Sequence, residues 1–157
     1  MSSTSSRETA QQAVAPANAI PMMAQVYVRL RHRLREVESL IETLPHRDAD
    51  GVDELQTQRQ VLEAQAAALR DIAARALVVP ISARVIVGSI VHLRSEPDGS
   101  LERYEIVLPT ESEPATKKVA FDSPIGRALL GREVGERTVI ETPRGHREVR
   151  IMVVKHQ

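Results

Sequence analysis

The sequence predicts an α+β chain in which an antiparallel helical hairpin, a two-stranded coiled coil, precedes a small sheet crossed by one short helix. Two apolar seams of heptad spacing follow one another between residues 23 and 76. Short β-rich segments separated by glycine and proline turns follow from residue 84. Among them the run D-S-P-I-G-R-A-L-L-G-R-E-V-G-E-R-T-V-I-E-T-P-R-G, Asp122 to Gly145, sets out a short helix and the start of a terminal hairpin.

The chain divides accordingly into a mobile tail (1–21), the hairpin (22–79) and a sheet domain (80–157). Residues 2–19 are rich in Ser, Ala, Gln and Thr without an apolar period. In the first arm Met23, Tyr27, Leu30, Leu34, Val37, Ile41 and Leu44 recur at alternating intervals of 4 and 3. Pro45 ends it, and residues 46–51 make a polar turn. The second seam is Val52, Leu55, Arg59, Leu62, Ala66, Leu69, Ala73 and Ala76, whose alanines let the arms approach closely. Arms of some 22 to 25 residues would each extend roughly 35 Å. Heptads alone equally allow a coiled-coil dimerisation module.

Strands are expected at Arg84–Leu93, Leu101–Val107, Lys117–Phe121, Thr138–Glu141 and Arg147–Val154. Pro97-Asp98-Gly99 joins the first pair, Gly88 marks a bulge, and Thr110–Thr116 is an exposed loop. Asp122 and Ser123 cap the short helix, Pro124 takes its first turn, and Gly131 ends it in the left-handed conformation. Val134-Gly135 and Pro143-Arg144-Gly145 turn the chain through the last two strands.

Composition excludes several functions. The 21 basic and 21 acidic side chains cancel, so there is no broad cationic field for autonomous nucleic-acid binding. No cysteine is present to form disulfides, thiolate metal sites or nucleophiles. Tyr27, Tyr104 and Phe121 are the only aromatics, too few for a base-stacking platform. No apolar run approaches the roughly 20 residues that span a bilayer. A cytoplasmic monomer with no membrane association is therefore expected.

Two charged groups stand out. Asp48, Asp50, Asp53 and Glu54 gather at the far end of the hairpin, where clustered carboxylates are either solvated or bridged by a hard cation such as Mg2+. An EF-hand loop is ruled out, because counting from Asp48 places Val52 at the fifth position and Asp53 where glycine is required. Arg29, Arg31, Arg33 and Arg35, with His32 among them, form a basic band on the first arm, within reach of Glu36, Glu38 and Glu63 for helix-surface pairs. His46, His92, His146 and His156 show no ligand spacing and are taken as surface residues.

The Asp122–Gly145 stretch closely resembles the C-terminal domain of the Gre transcript-cleavage factors, in which Ser-Pro-Ile-(Gly/Ala)-Arg-(Ala/Gly)-Leu-(Leu/Ile)-Gly precedes a Thr-Pro-x-Gly hairpin. Residues 83–89 are similar to the strand that opens that domain, and residues 76–79 to the segment joining the family's two domains. The resemblance implies an FKBP-like C-terminal fold. It also implies a regulator of transcription elongation that binds RNA polymerase and inserts its hairpin into the secondary channel, without an enzymatic reaction of its own. There the acidic tip would share Mg2+ with the polymerase, through Asp48 and Asp50, to stimulate cleavage of backtracked RNA. The basic band would meet the nascent RNA, and Asp122, Ser123, Pro124 and Ile125, with Leu129 or Leu130, would grip the polymerase at the channel rim. No cofactor of its own is implied.

The tip departs from the family's Gly-Asp-x-x-Glu-Asn-Ala-Glu-Tyr pattern. Aligning its aspartate with Asp48 puts Gly51 in place of the middle glutamate, Glu54 on the last one and Leu55 on the tyrosine. Counting without gaps from Ala76 instead puts Asp48 at the middle glutamate and Pro45 at the aspartate. Neither register keeps both acids, and the first arm is shorter than in cleavage factors. The balance therefore favours modulation without efficient cleavage. An FKBP-type prolyl isomerase is the remote alternative, poorly served by one tyrosine and one phenylalanine in the domain.

Overall fold

A computed structural model describes residues 17–45, 52–96 and 98–157, with Val52 and Asp53 described in backbone only. In chain order its first four elements are β1 (Ile20–Met22), α1 (Ala24–Thr43), α2 (Val52–Arg75) and β2 (Ala76–Val78). Helices α1 and α2 pack against each other as the paired seams require. Leu30, Leu34 and Val37 are buried from α1 and Ala66 and Leu69 from α2, while Leu55, Arg59, Leu62 and Ile41 are half-buried. Val26 and Ile72 join the seam as well, because near its base the hairpin is covered by the second domain too. Between the arms Arg70 Nη2 lies 2.8 Å from Glu38, and Arg59 donates to the Leu44 carbonyl at 3.2 Å.

The base of the hairpin differs from the sequence expectation. Ile20 and Pro21, assigned to the mobile tail, belong to a strand. Ala76, assigned to the second seam, begins another, and β1 and β2 pair in parallel with Ile20 opposite Ala76. Val87 extends the ribbon: its N–H donates to the Pro21 carbonyl at 2.9 Å, and its own carbonyl accepts from Met23 N–H at 3.1 Å. The N–H of the N-cap residue Met23 is thus held by the second domain, while its side chain caps none of the N–H groups of the first turn. The ends of both arms are held by backbone hydrogen bonds rather than by a flexible linker.

Next come β3 (Ser89–Ser95), β4 (Leu101–Val107), β5 (Lys118–Ala120), α3 (Pro124–Leu129), β6 (Arg137–Thr142) and β7 (Gly145–His156). The five strands form one mixed sheet in the order β5-β4-β3-β7-β6, with only β4–β5 parallel. Two short 3-10 turns, Pro109–Glu111 and Pro114–Thr116, occupy the expected loop. Helix α3 touches both edge strands, β5 and β6, and so crosses the sheet. Beneath it Leu93, Ile106, Ile140, Val149 and Ile151 are fully buried, as is Leu129 of the helix itself. At the β3–β4 turn, Ser100 N–H and Oγ–H donate to Asp98 Oδ1 and hold that carboxyl below its usual range.

The first strand of the sheet begins later than expected, at Ser89, because Arg84 bridges to Glu133 and Val87 to Met22 at the base of the hairpin. Gly88 marks a close approach rather than a bulge. Its φ is +106°, and a β-carbon there would lie 2.7 Å from Met23 Sδ and 2.8 Å from Val26 Cγ2. The bulge falls between His92 and Leu93 in the pairing with β7. Met22, Val85 and Val87 are completely buried, so one continuous core runs through the joint.

Candidate polymerase-docking corner and hairpin arm

The Asp122–Ile125 corner is built as a helix start on the end of β5. Ser123 Oγ accepts from Gly126 N–H at 3.0 Å, an N-cap, and donates to the Ala120 carbonyl at 2.6 Å. Gly126 sits so close to this strand end that a β-carbon would lie 2.1 Å from the Ala120 oxygen. Ser123 is therefore occupied in fixing the corner. Asp122 and Pro124 are exposed, Ile125 is half-buried against the core, and Leu129 is wholly internal. The projecting surface is a carboxylate beside a rigid apolar ring with part of Ile125 behind it. Leu129 is removed from the candidate anchors, and Leu130 is half-buried.

The basic band divides in two. Arg29 Nε donates to Glu111 Oε1 at 2.9 Å, joining α1 to the 3-10 turn of the sheet domain. Arg33, one turn further on, reaches Glu36 at 3.3 Å. Arg31 and Arg35 are exposed and enter no ion pair among the described residues. Of the four arginines, these two keep their full charge open for a phosphate.

At the other end of the hairpin, Glu54 is exposed in the first turn of α2 and Asp53 precedes it in the same turn. Asp48 and Asp50 lie outside the described residues, as does His46. Among the described residues no group of three His, Cys, Asp or Glu side chains is arranged to hold a metal. His92 is half-buried and His146 lies 3.8 Å from Glu141. His156, read as a plain surface residue, has a more definite place: Nδ1 is 3.2 Å from Ser89 Oγ and Nε2 is 2.6 Å from the Ser82 carbonyl. It ties the end of the last strand to the segment entering the domain. Isolated histidines give no sequence signal for such a contact.

Two alternative functions lose ground on this geometry. Tyr104 and Phe121 are both buried in the core, leaving no aromatic side chain of the sheet domain to line an open proline pocket. The seam of α1 is covered by α2 of the same chain, so it is not available to a second copy. No helix among the described residues is long and apolar enough to cross a membrane.

Residues 81–156 match the family model for the C-terminal domain of transcription elongation factors GreA/GreB. The sheet domain is similar to the C-terminal domain of the Gre factors. It is 42% identical over 71 residues to transcription elongation factor GreA of Bacillus cytotoxicus, a match spanning 45% of each chain. It thus spans under half the length of that GreA. A longer match, 29% identical over 140 residues, links it to the transcription inhibitor protein Gfh1 of Thermus thermophilus, covering 84% of this chain and 90% of that protein. The crystal structure of Thermus thermophilus Gfh1 aligns with 87% of this chain and 99% of its own at 27% identity, with a TM-score of 0.43. Sequence identity, not superposition, carries the likeness to the Gre factors.

Proposed function

We propose that this chain is a Gre-type factor that binds RNA polymerase and carries its hairpin into the secondary channel, modulating elongation without efficient transcript cleavage. The observation that carries this reading is the 140-residue similarity to a protein named a transcription inhibitor, which extends across the hairpin as well as the sheet domain. The chemistry of the tip points the same way, since neither register of Asp48, Asp50, Asp53 and Glu54 restores both acids of the cleavage pattern. The chain has no reaction of its own in this reading. It is a cytoplasmic monomer that acts at the active site of its partner.

Two stiff arms would convey the tip. At 1.5 Å per residue, the 20 residues of α1 span roughly 30 Å and the 24 of α2 about 36 Å. The ribbon at their base fixes the direction in which they project. Asp122 and Pro124 supply the anchor on the polymerase, with Ile125 adding the part of its side chain left open. Arg31 and Arg35 are the arginines best placed to meet nascent RNA. Asp48 and Asp50 are the residues that would share Mg2+ with the polymerase, where such an ion stabilises charge on the scissile phosphate.

The test uses stalled, backtracked elongation complexes, following RNA shortening and RNA extension after addition of the full chain. Slowed extension without shortening is expected. Shortening that Asp48→Ala abolishes would instead establish a cleavage factor. If neither rate changes and the chain does not bind purified polymerase, the reading fails. Loss of binding in Pro124→Ala would assign the anchor to the corner.

A further inference from the structure

Helix α3 covers only one face of the sheet. The opposite face carries four of the exposed large apolar side chains among the described residues: Leu101 at 73% exposure, Val139 at 53%, Val153 at 40% and Met152 at 39%. The common side of Leu101, Val139 and Val153 follows from register, and exposed Met152 precedes Val153 at the bulge. Leu101 pairs with Arg94, Arg94 with Arg150, and Arg150 with Arg137, which makes one row across β4, β3, β7 and β6. Val153 lies in the row on one side through its partner His92, and Val139 in the row on the other through Glu148. At about 4.8 Å between strands the row is roughly 14 Å wide.

Like charges directly opposite one another on a sheet are destabilising, so three neighbouring arginines need compensation. Within the chain it is incomplete. Glu96 Oε1 lies 3.0 Å from Arg150 Nε and 3.9 Å from Arg137 Nε, and Glu148 lies 3.9 Å from Arg137. Arg150 Nε is nevertheless buried without an aligned hydrogen bond, because proximity to Glu96 alone does not provide the angle. Arg94 and, in the next row, Arg103 are exposed and enter no ion pair among the described residues. Glu105 follows Arg103 on the same face of β4 and is half-buried.

We propose that the exposed part of this face is a second docking surface, separate from the Asp122–Ile125 corner, for a protein surface with carboxylates around an aliphatic centre. The unpaired guanidinium groups of Arg94 and Arg103 supply the charge complementarity. Leu101, Val139 and Met152 distinguish a protein partner from a polyanion, since a phosphate backbone would neutralise arginines yet leave those side chains in water. Arginine and methionine, with little lysine, are also the side chains that protein interfaces favour.

The inference rests on the polymerase-binding reading, so purified RNA polymerase is the probe. Binding of the fluorescently labelled full chain is compared with that of Arg94→Glu/Arg103→Glu and of Leu101→Ser, substitutions at exposed positions that should leave the circular dichroism unchanged. The double variant is expected to bind about tenfold more weakly and Leu101→Ser several-fold more weakly. Wild-type affinity in both variants would overturn the second surface while leaving the polymerase reading intact. No binding by the unaltered chain would overturn both. A labelled single-stranded RNA oligomer that binds the wild type but not the double variant, with polymerase affinity unchanged, would also overturn the proposal and make this a nucleic-acid face.

Discussion

The hairpin and the sheet domain bury their side chains in different ways. In the sheet domain Leu93, Ile106, Leu129, Ile140 and Ile151 are each wholly buried, because sheet and helix close on them from two sides. The hairpin has one seam, and its burial declines along the arms. Val26, Leu30, Leu69 and Ile72 are buried near the base, whereas Ile41, Leu55 and Leu62 further out are half-open. A two-helix rod cannot surround its own apolar residues. Its stability therefore comes disproportionately from the end that the other domain covers, while the end that carries the acids is left to weaker packing.

The largest expected effect tests this gradient. Leu30→Ala removes a completely buried side chain at the base and should cost about 2–5 kcal/mol. Leu55→Ala, toward the tip, should cost under about 1 kcal/mol, since part of its surface is already in water. Urea denaturation followed by circular dichroism measures both. Equal losses would break the contrast between base and tip.

Gly88→Ala probes the joint and should cost about 2–3 kcal/mol, from a strained φ of +106° together with contact against Met23 and Val26. Because one core passes through this point, the helical signal and the sheet should melt together at a lower temperature. Loss of the sheet alone, with the hairpin undisturbed, would show that the two regions are less coupled than their shared core implies.

The legibility of each part in the sequence follows its dependence on local rules. The arms were readable because a seam repeats its signal many times, and the Asp122–Gly145 run because proline, glycine and capping residues have few conformational options. The ribbon was not. Ile20-Pro21-Met22 is too short to show alternation and contains a proline, and its partner Ala76–Val78 is more than fifty residues away. The overextension of the second seam to Ala76 has the same cause, since helix propensity yields there to a pairing that no local pattern announces. At the candidate site the sequence located the corner but could not say which side chains face outward. That depends on Ser123 turning back onto Ala120, on Leu129 entering the core and on Glu111 coming across to Arg29.

A smaller effect is expected at that corner. Ser123→Ala removes the acceptor for Gly126 N–H and should cost about 1 kcal/mol. It should weaken the proposed polymerase binding only as far as the helix start loosens, since the hydroxyl is already committed within the fold. If binding fell sharply with stability unchanged, Ser123 would be a direct contact, and the division of the corner into supporting and projecting residues would need revision.

The smallest effect at neutral pH belongs to a tyrosine held in the sheet domain. Tyr104 is buried in the sheet domain and its hydroxyl donates to Glu102 Oε2 at 3.2 Å. Burial first, and then the negative charge of Glu102, raise its pKa above the ordinary value of 10.0, with Arg147 partly opposing them. The fold thus favours the protonated phenol. The resulting stability is fully present below pH 10.0 and is lost as pH rises through the higher folded value. Ultraviolet titration of phenolate absorbance should show a late-ionising tyrosine, and Tyr104→Phe should remove that step. A single midpoint near 10.0 in the folded wild type would show that Tyr104 is open to water, contrary to the close packing ascribed to the sheet domain.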